Sequence, residues 1–223
     1  MLNLLVLCIL IISGCTTETK NNIEITNHKV LQKEKHTCSI VVKQEGPIKI
    51  QDNIVRALVF VKNRDIKCLT DIASNGDQVA QLFLGDMYSS EENVERDYSK
   101  AAYWYRLSAE QGNSEAQQEL GILYYKGVGV NKDYKESVKW YRLSAKQGHA
   151  FAQYCMGFMY YLGLGLDKDY TKSYLWLNLS ASNGSNAGIE LRDEIEKKIP
   201  MKKIIELHEE TKICKSNNYI GCD

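Results

Sequence analysis

The sequence predicts an all-α protein, an α-solenoid of stacked antiparallel helix pairs. Three observations predict it. A block of 36 residues occurs three times in succession without an insertion, at 77–112, 113–148 and 149–184. Within each block the apolar residues recur at helical spacings and not in strand alternation. Only two prolines, Pro47 and Pro200, stand in the 223 residues, so nothing interrupts a helix between them.

From the N-terminus, Leu4 to Ile12 are nine consecutive apolar residues. A bilayer span needs about 20, so this run is too short to cross one and has the length of a signal-peptide core. It ends in Ile12-Ser13-Gly14-Cys15, which resembles the bacterial lipobox. That resemblance implies cleavage before Cys15 and a lipid on its thiol, making 1–15 a lipoprotein signal peptide. The basic n-region is missing, since no Lys or Arg precedes Lys20. Thr16, and not Asp, follows the cysteine, which favours the outer membrane, with the protein facing the periplasm. Residues 16–37 are polar and aperiodic and read as a flexible tether. Residues 38–76 read as a degenerate N-terminal capping unit, with Ile66–Gly76 as its second helix.

Residues 77–184 are the repeats. Ala73, Ala109, Ala145 and Ala181 are 36 residues apart, and Gly76, Gly112, Gly148 and Gly184 keep the same register. The first and second blocks agree at 16 of 36 positions, and so do the second and third. Each block reads as two helices. The first carries Ala80-Gln81, Leu84-Gly85 and Tyr88, then Ala116-Gln117, Leu120-Gly121 and Tyr124, then Ala152-Gln153, Met156-Gly157 and Tyr160. Spacings of four and eight put these on one helix face. The second helix starts after Asp97, Asp133 or Asp169, an N-cap residue type, carries Trp104, Trp140 or Trp176, and stops at the C-cap glycine. Gly127-Val128-Gly129 and Gly163-Leu164-Gly165 form the turns between helices. The first block has Glu91 and Asn93 there, which predicts a different or strained turn. Residues 185–223 read as a closing helix, Ser185 to Lys198, and a cysteine-bearing tail.

This pattern resembles the Sel-one-like repeat family, the 36-residue relatives of tetratricopeptide repeats. It departs from the family in having Ser108, Ser144 and Ser180 in place of the first alanine of an Ala-Ala pair. The resemblance implies a protein-binding scaffold, because one helix pair cannot bury its apolar stripe and stacked pairs leave an extended surface free. Small exported members include immunity proteins that neutralise membrane-attacking secreted toxins, as well as envelope adaptors. A cysteine-rich branch is associated with penicillin binding or hydrolysis, which gives the alternative reading, an enzyme on cell-wall or β-lactam substrates. Its mark is a cysteine pair eight positions apart in each repeat. Cys214 and Cys222 have that separation but fall in the tail.

Composition narrows the function further. Lys plus Arg and Asp plus Glu both number 28, and this balance argues against a nucleic-acid partner. His28, His36, His149 and His208 are scattered, with no zinc-hydrolase spacing, and there is no nucleophile elbow or P-loop. The expectation is a protein with no catalytic residue, metal or cofactor.

Five cysteines follow Cys15. In an exported protein pairing is expected. Four of them, Cys38, Cys68, Cys214 and Cys222, allow three pairings; the local one joins Cys38 to Cys68 and Cys214 to Cys222 and leaves Cys155 a lone thiol. One further stripe runs along the first helices, about 200° round from the core alanine. It reads Leu82, Asp86, Ser89, then Gln118, Ile122, Tyr125, then Tyr154, Phe158, Tyr161. In related solenoids the first helices line the concave face. Gln118, Ile122, Tyr125, Tyr154, Phe158 and Tyr161 are therefore the expected contacts with a protein partner, unless the closing helix or the tail covers them.

Overall fold

In a computed structural model the described residues are 66–90, 95–219, 221 and 222, all within the second of two compact units, Cys38–Asp223. The signal, the tether, Cys15, Cys38, the turn at Glu91 and Asn93, and residues 38–65 of the capping unit lie outside the described residues. Those described are helical: α1 Ile66–Ser74, α2 Gln78–Ser89, α3 Tyr98–Glu110, α4 Ser114–Lys126, α5 Tyr134–Ala145, α6 Ala150–Leu162, α7 Tyr170–Ser182, α8 Asn186–Glu196 and α9 Met201–Ser216. Each of α1 to α7 packs on the next, and α9 folds back on α7. The described part is a solenoid of pairs α2–α3, α4–α5 and α6–α7.

Side chains start the helices as the sequence implies. Asp97, Asp133 and Asp169 each accept two backbone N–H groups from the first turn of α3, α5 and α7. Asp77, Asn113 and Ser185 accept one each at α2, α4 and α8. His149 holds the equivalent place before α6 without a side-chain bond, and burial lowers its pKa. Gly127 and Gly163 close α4 and α6 in the left-handed region, φ 70° and 74°.

The motif residues have separate packing duties. Gly85 and Gly121 let a ring from the second helix of the same pair lie directly on the first. A Cβ on Gly121 would stand 2.6 Å from Cδ1 of Tyr141, and one on Gly85 would stand 2.3 Å from Cδ1 of Tyr105. In the third pair Leu177 takes the ring's place over Gly157. Gly129 combines φ 71° with an approach to Tyr98 so close that a Cβ would overlap its carbonyl oxygen; Gly165 meets Tyr134 in the same way. The glycine turns therefore dock each pair onto the one before.

The serines that depart from the family pattern are buried and bonded. Ser108, Ser144 and Ser180 donate to the carbonyls of Gln78, Ser114 and Ala150 at 2.7–2.8 Å, tying the two helices of a pair together. Gln81, Gln117 and Gln153 are buried too. Each donates to the last alanine carbonyl of the preceding pair, Ala73, Ala109 or Ala145, at 2.9–3.1 Å. Their own oxygens accept from Gln111, Gln147 and Asn183. A helix C-terminus leaves its last carbonyls without a helical partner, and this glutamine ladder supplies one at each junction.

Trp104, Trp140 and Trp176 are buried as expected. Tyr160 is buried, whereas Tyr88 and Tyr124 are half-buried, with Lys100 and Arg106 over their rings. Leu143 is 42% exposed although its repeat equivalent Leu179 is buried. The cause is the end of the chain. The cysteine-bearing segment after Pro200 is a helix, and α9 lays Cys214 into the cluster that holds Leu179. Among the described residues no helix crosses α5 in that way. Cys214 is bonded to Cys222, with Cα atoms 5.5 Å apart, and the loop between them presses Tyr219 against Gly148 and Asn183.

Candidate partner-binding face

The six residues expected to meet a partner, Gln118, Ile122, Tyr125, Tyr154, Phe158 and Tyr161, all keep part of their surface exposed. Gln118, Ile122 and Tyr125 stand on α4 and the other three on α6, two, six and nine residues beyond the buried alanines Ala116 and Ala152. Ile122, Tyr125 and Tyr154 rest on the edge of the core shared by α5, α6 and α7. The stripe is thus a half-covered shelf above the core.

Its rings join into one run. Ring centroids are separated by 5.6 Å between Tyr134 and Tyr125, 6.4 Å between Tyr125 and Phe158, 6.2 Å between Phe158 and Tyr154, and 5.9 Å between Tyr154 and Phe151. These fall in the range of favourable aromatic pairs. Phe151 is 43% exposed and Leu162, at the other end of α6, is 43% exposed as well. Tyr134 and Phe151 were not evident in the sequence, because both lie off the stripe: Tyr134 reaches it from α5, and Phe151 from one turn before Tyr154 on α6.

Tyr161 is held by the closing segment. Its hydroxyl donates to Glu194 of α8 at 2.8 Å, and Lys198 lies 4.8 Å over its ring while donating to the same oxygen. Tyr170 and Lys168 complete that cluster. The tail takes a different course, since α9 packs on α7.

At the first-pair end the face changes character. Leu82, grouped with the stripe by spacing, is buried in the core between pairs. Asp86 keeps solvent contact while accepting a 2.8 Å hydrogen bond from the Tyr105 hydroxyl, which also lies 3.1 Å from Ser89 Oγ. Crowding by neighbouring atoms pushes the Asp86 carboxyl up to about 7 against that hydrogen bond, with the carboxylates of Glu119 and Glu115 adding to the rise. Burial raises Glu119 as well. Gln118 donates its amide to Glu119 at 2.9 Å, and its own carbonyl oxygen is buried with no partner among the described residues.

Cys155 is a buried free thiol, and burial lifts its pKa to about 12 against a hydrogen bond with Tyr141. A thiol so held is a poor nucleophile. The Cys68 side chain lies outside the described residues, and with it the Cys38–Cys68 pairing. Among the described residues no His, Cys, Asp or Glu cluster could hold a metal ion, and no helix is long and apolar enough to cross a membrane.

Comparison with known proteins agrees with the repeat architecture. The Sel1 repeat family matches residues 78–113, 114–149 and 150–185. Sel1 repeats generally mediate protein–protein interaction. Among solved structures, a protective antigen of uropathogenic Escherichia coli with an SLR fold is 29% identical, with a TM-score of 0.67 over 75% of this chain and 38% of that one. A Sel1 repeat protein from Oxalobacter formigenes is 33% identical, with a TM-score of 0.55 over 60% of this chain and 57% of that one. The chain thus spans less than two thirds of either. No curated protein matches the sequence significantly.

Proposed function

Residues 78–185 make this a Sel1-repeat protein, and on that premise we propose that it is a lipid-anchored bacterial envelope scaffold. It is held at the outer membrane through Cys15, faces the periplasm, and binds a protein partner along α4 and α6. The observation that carries the reading is the run of five rings from Tyr134 to Phe151. Stacking of pairs uses the alanine, glutamine, glycine and serine positions, and it does not require aromatic side chains on this shelf. Half-exposed aromatics grouped on one face are what interface centres are made of. The role we infer is binding, and among the described residues the free thiol of Cys155 is buried with its pKa raised to about 12. Neutralising a membrane-attacking secreted toxin and bracing an envelope assembly both suit such a face, and the identity of the captured partner separates them.

The test is co-purification from envelope extract with the wild-type protein and with Phe158→Ala and Tyr154→Ala. Truncating a buried interface aromatic costs about 2 kcal/mol or more, some thirtyfold in affinity. Loss of the captured protein with unchanged helicity is expected. Retention of the partner by folded variants would place the interface elsewhere. The address is tested by fractionation: Cys15→Ser should leave the membrane fraction or stay unprocessed, and membrane retention at the mature mass refutes the anchor.

A further inference from the structure

One border of the aromatic shelf is charged, and the charge recurs with the repeat. In the second pair Tyr125 of the face leans on Tyr134, the first residue of α5, with ring centroids 5.6 Å apart, and Lys132 lies 5.7 Å over the Tyr134 ring. In the third pair Tyr161 leans on Tyr170, the first residue of α7, at 5.9 Å. Lys168 lies 5.0 Å over Tyr170 and 5.8 Å over Tyr161. Lys198, just past α8, joins that cluster at 4.8 Å over Tyr161 and 5.5 Å over Tyr170. In the first pair Arg96 lies over Tyr98, but the face position is Ser89, which meets the Tyr105 hydroxyl and offers no ring. The unit of lysine and two tyrosines therefore accompanies the aromatic part of the face and stops where the rings stop.

Lys132, Lys168 and Lys198 are all exposed. The carboxylates beside them have other work. Asp133 and Asp169 each accept two backbone N–H groups at a helix start, where the positive end of the helix dipole offsets their charge. Glu194 accepts from Tyr161 and Lys198, and Glu136 is paired with Lys139. Asp167 is exposed in the turn. Among the described residues neither Lys132 nor Lys168 forms an ion pair; each rests on a ring. An ammonium group on an aromatic face keeps its full charge, so it can still meet a carboxylate from outside.

Resting on the scaffold reading above, we propose that the partner presents an acidic segment: aspartate or glutamate side chains lie along Lys132 and Lys168, and an apolar or aromatic side chain lies on Tyr154 and Phe158. Charge complementarity selects this occupant, because the cations that line the rings are the ones left without a carboxylate. Steps of 5.7, 5.6 and 6.4 Å lead from Lys132 over Tyr134 and Tyr125 to Phe158. An extended chain advances roughly 3.3 Å per residue, so at most about five residues part the acidic anchor from the apolar one. Lysines on successive pairs ask for more than one acid in the segment. The rings supply affinity, and the charges fix the direction in which the segment lies, which apolar contact alone leaves open.

Fluorescence anisotropy on the purified full chain tests this with three labelled peptides. One carries Glu-Glu-Glu and Phe-Leu-Phe separated by a short Gly-Ser spacer. The second has Lys-Lys-Lys in place of the acids, and the third has Ser-Ser-Ser in place of Phe-Leu-Phe. The first should bind about tenfold or more tightly than either other, and should lose most of its margin over the second in about 0.5 M salt. Lys132→Gln with Lys168→Gln should weaken the first peptide about tenfold without weakening the second, and Lys132→Arg with Lys168→Arg, which keeps the charge, should bind it as the wild type does. Phe158→Ala should weaken the first peptide by a similar factor. Equal binding of the first two peptides, with both lost in Phe158→Ala, would overturn the charge assignment and leave the scaffold reading standing. Failure of the first peptide to bind, or its indifference to the paired glutamine variant, would also overturn it. Phosphatidylglycerol vesicles should capture the wild type and the paired glutamine variant equally; capture that falls in the variant would assign the lysines to lipid and overturn the proposal. Co-purification that fails in envelope extract would instead remove the scaffold reading.

Discussion

Gly121→Ala sets two helix-level effects against each other, and the structure decides between them. Gly121 lies in the interior of α4. There alanine is favoured over glycine by about 1 kcal/mol, through lower backbone entropy in the unfolded chain. Considered as a helix alone, the variant should be the more stable protein. But the new Cβ would stand 2.6 and 2.7 Å from Cδ1 and Cε1 of Tyr141 and 3.2 Å from Cγ. That ring is 3% exposed and packs among α5, α6 and α7, so it cannot swing aside as a free chain end would. Overpacking of this kind costs typically about 1–3 kcal/mol. Nearly all of that range exceeds the propensity gain, and a net loss of up to about 2 kcal/mol remains. For a folded unit of this size, at about 2–4 °C per kcal/mol, a loss of that order lowers the melting temperature by up to roughly 8 °C. Thermal denaturation by circular dichroism reads it directly. Gly121→Ala with Tyr141→Ala removes the clash, so the cost of the glycine change should vanish or reverse in that background. A single variant that melts above the wild type would refute the assignment of Gly121 to ring clearance.

Reducing the Cys214–Cys222 bond should release about 2–3 kcal/mol of loop constraint; amide exchange should then rise in α9 and around Tyr219 and Asn183 while α4 keeps its protection. Asp86 makes stability fall as pH rises, because its folded pKa of about 7 lies above the ordinary 3.8 and the native state holds the proton after the unfolded chain has lost it. Asp86→Asn should therefore match the wild type near pH 4 and exceed it at pH 8. The gain should stay under about 1 kcal/mol because solvent reaches the carboxylate, and Glu119, also raised by burial, leaves a residual slope. A variant less stable than the wild type at pH 8 would refute this.

Much of the fold was legible because stacking asks the same thing of each pair at the same place. Asp97, Asp133 and Asp169 recur because each second helix needs a start, and Gly129 and Gly165 recur because each turn meets the preceding pair. The terminal helix was not legible for the converse reason. It packs once, so no repeat marks it. Its inward row, Ile204, Leu207, Thr211 and Cys214, is diluted by a polar residue, and Met201, Ile205 and Ile213 put an apolar row on the outer side as well. Pro200 contributes to the difficulty, since a proline before Met201 marks a helix end and a helix start equally well. On the candidate face, the rotation of the stripe away from the alanines was legible from the helical period. The Tyr105–Asp86 bond and the approach of Tyr134 to Tyr125 were not, because each joins residues of different helices.

The internal repeats also provide a control that a single-copy fold lacks. Positions needed for stacking hold their identity: the alanines of the core row, the glutamines of the junction ladder, the glycines of α2, α4 and α6 and the serines between paired helices are the same in all three pairs, and each has a contact that explains it. The face positions behave differently. The first reads Leu82, Gln118, Tyr154, the second Asp86, Ile122, Phe158, and the third Ser89, Tyr125, Tyr161. If stacking governed these positions, one residue type would serve all three pairs as well as it does elsewhere. Packing explains Leu82, which is buried, and the closing segment explains Tyr161, which Glu194 and Lys198 hold. It explains neither an exposed carboxylate at Asp86 nor a half-exposed ring at Phe158. Differences that stacking does not require, running from acceptors at one end to rings at the other, are what one asymmetric partner laid across the pairs would select.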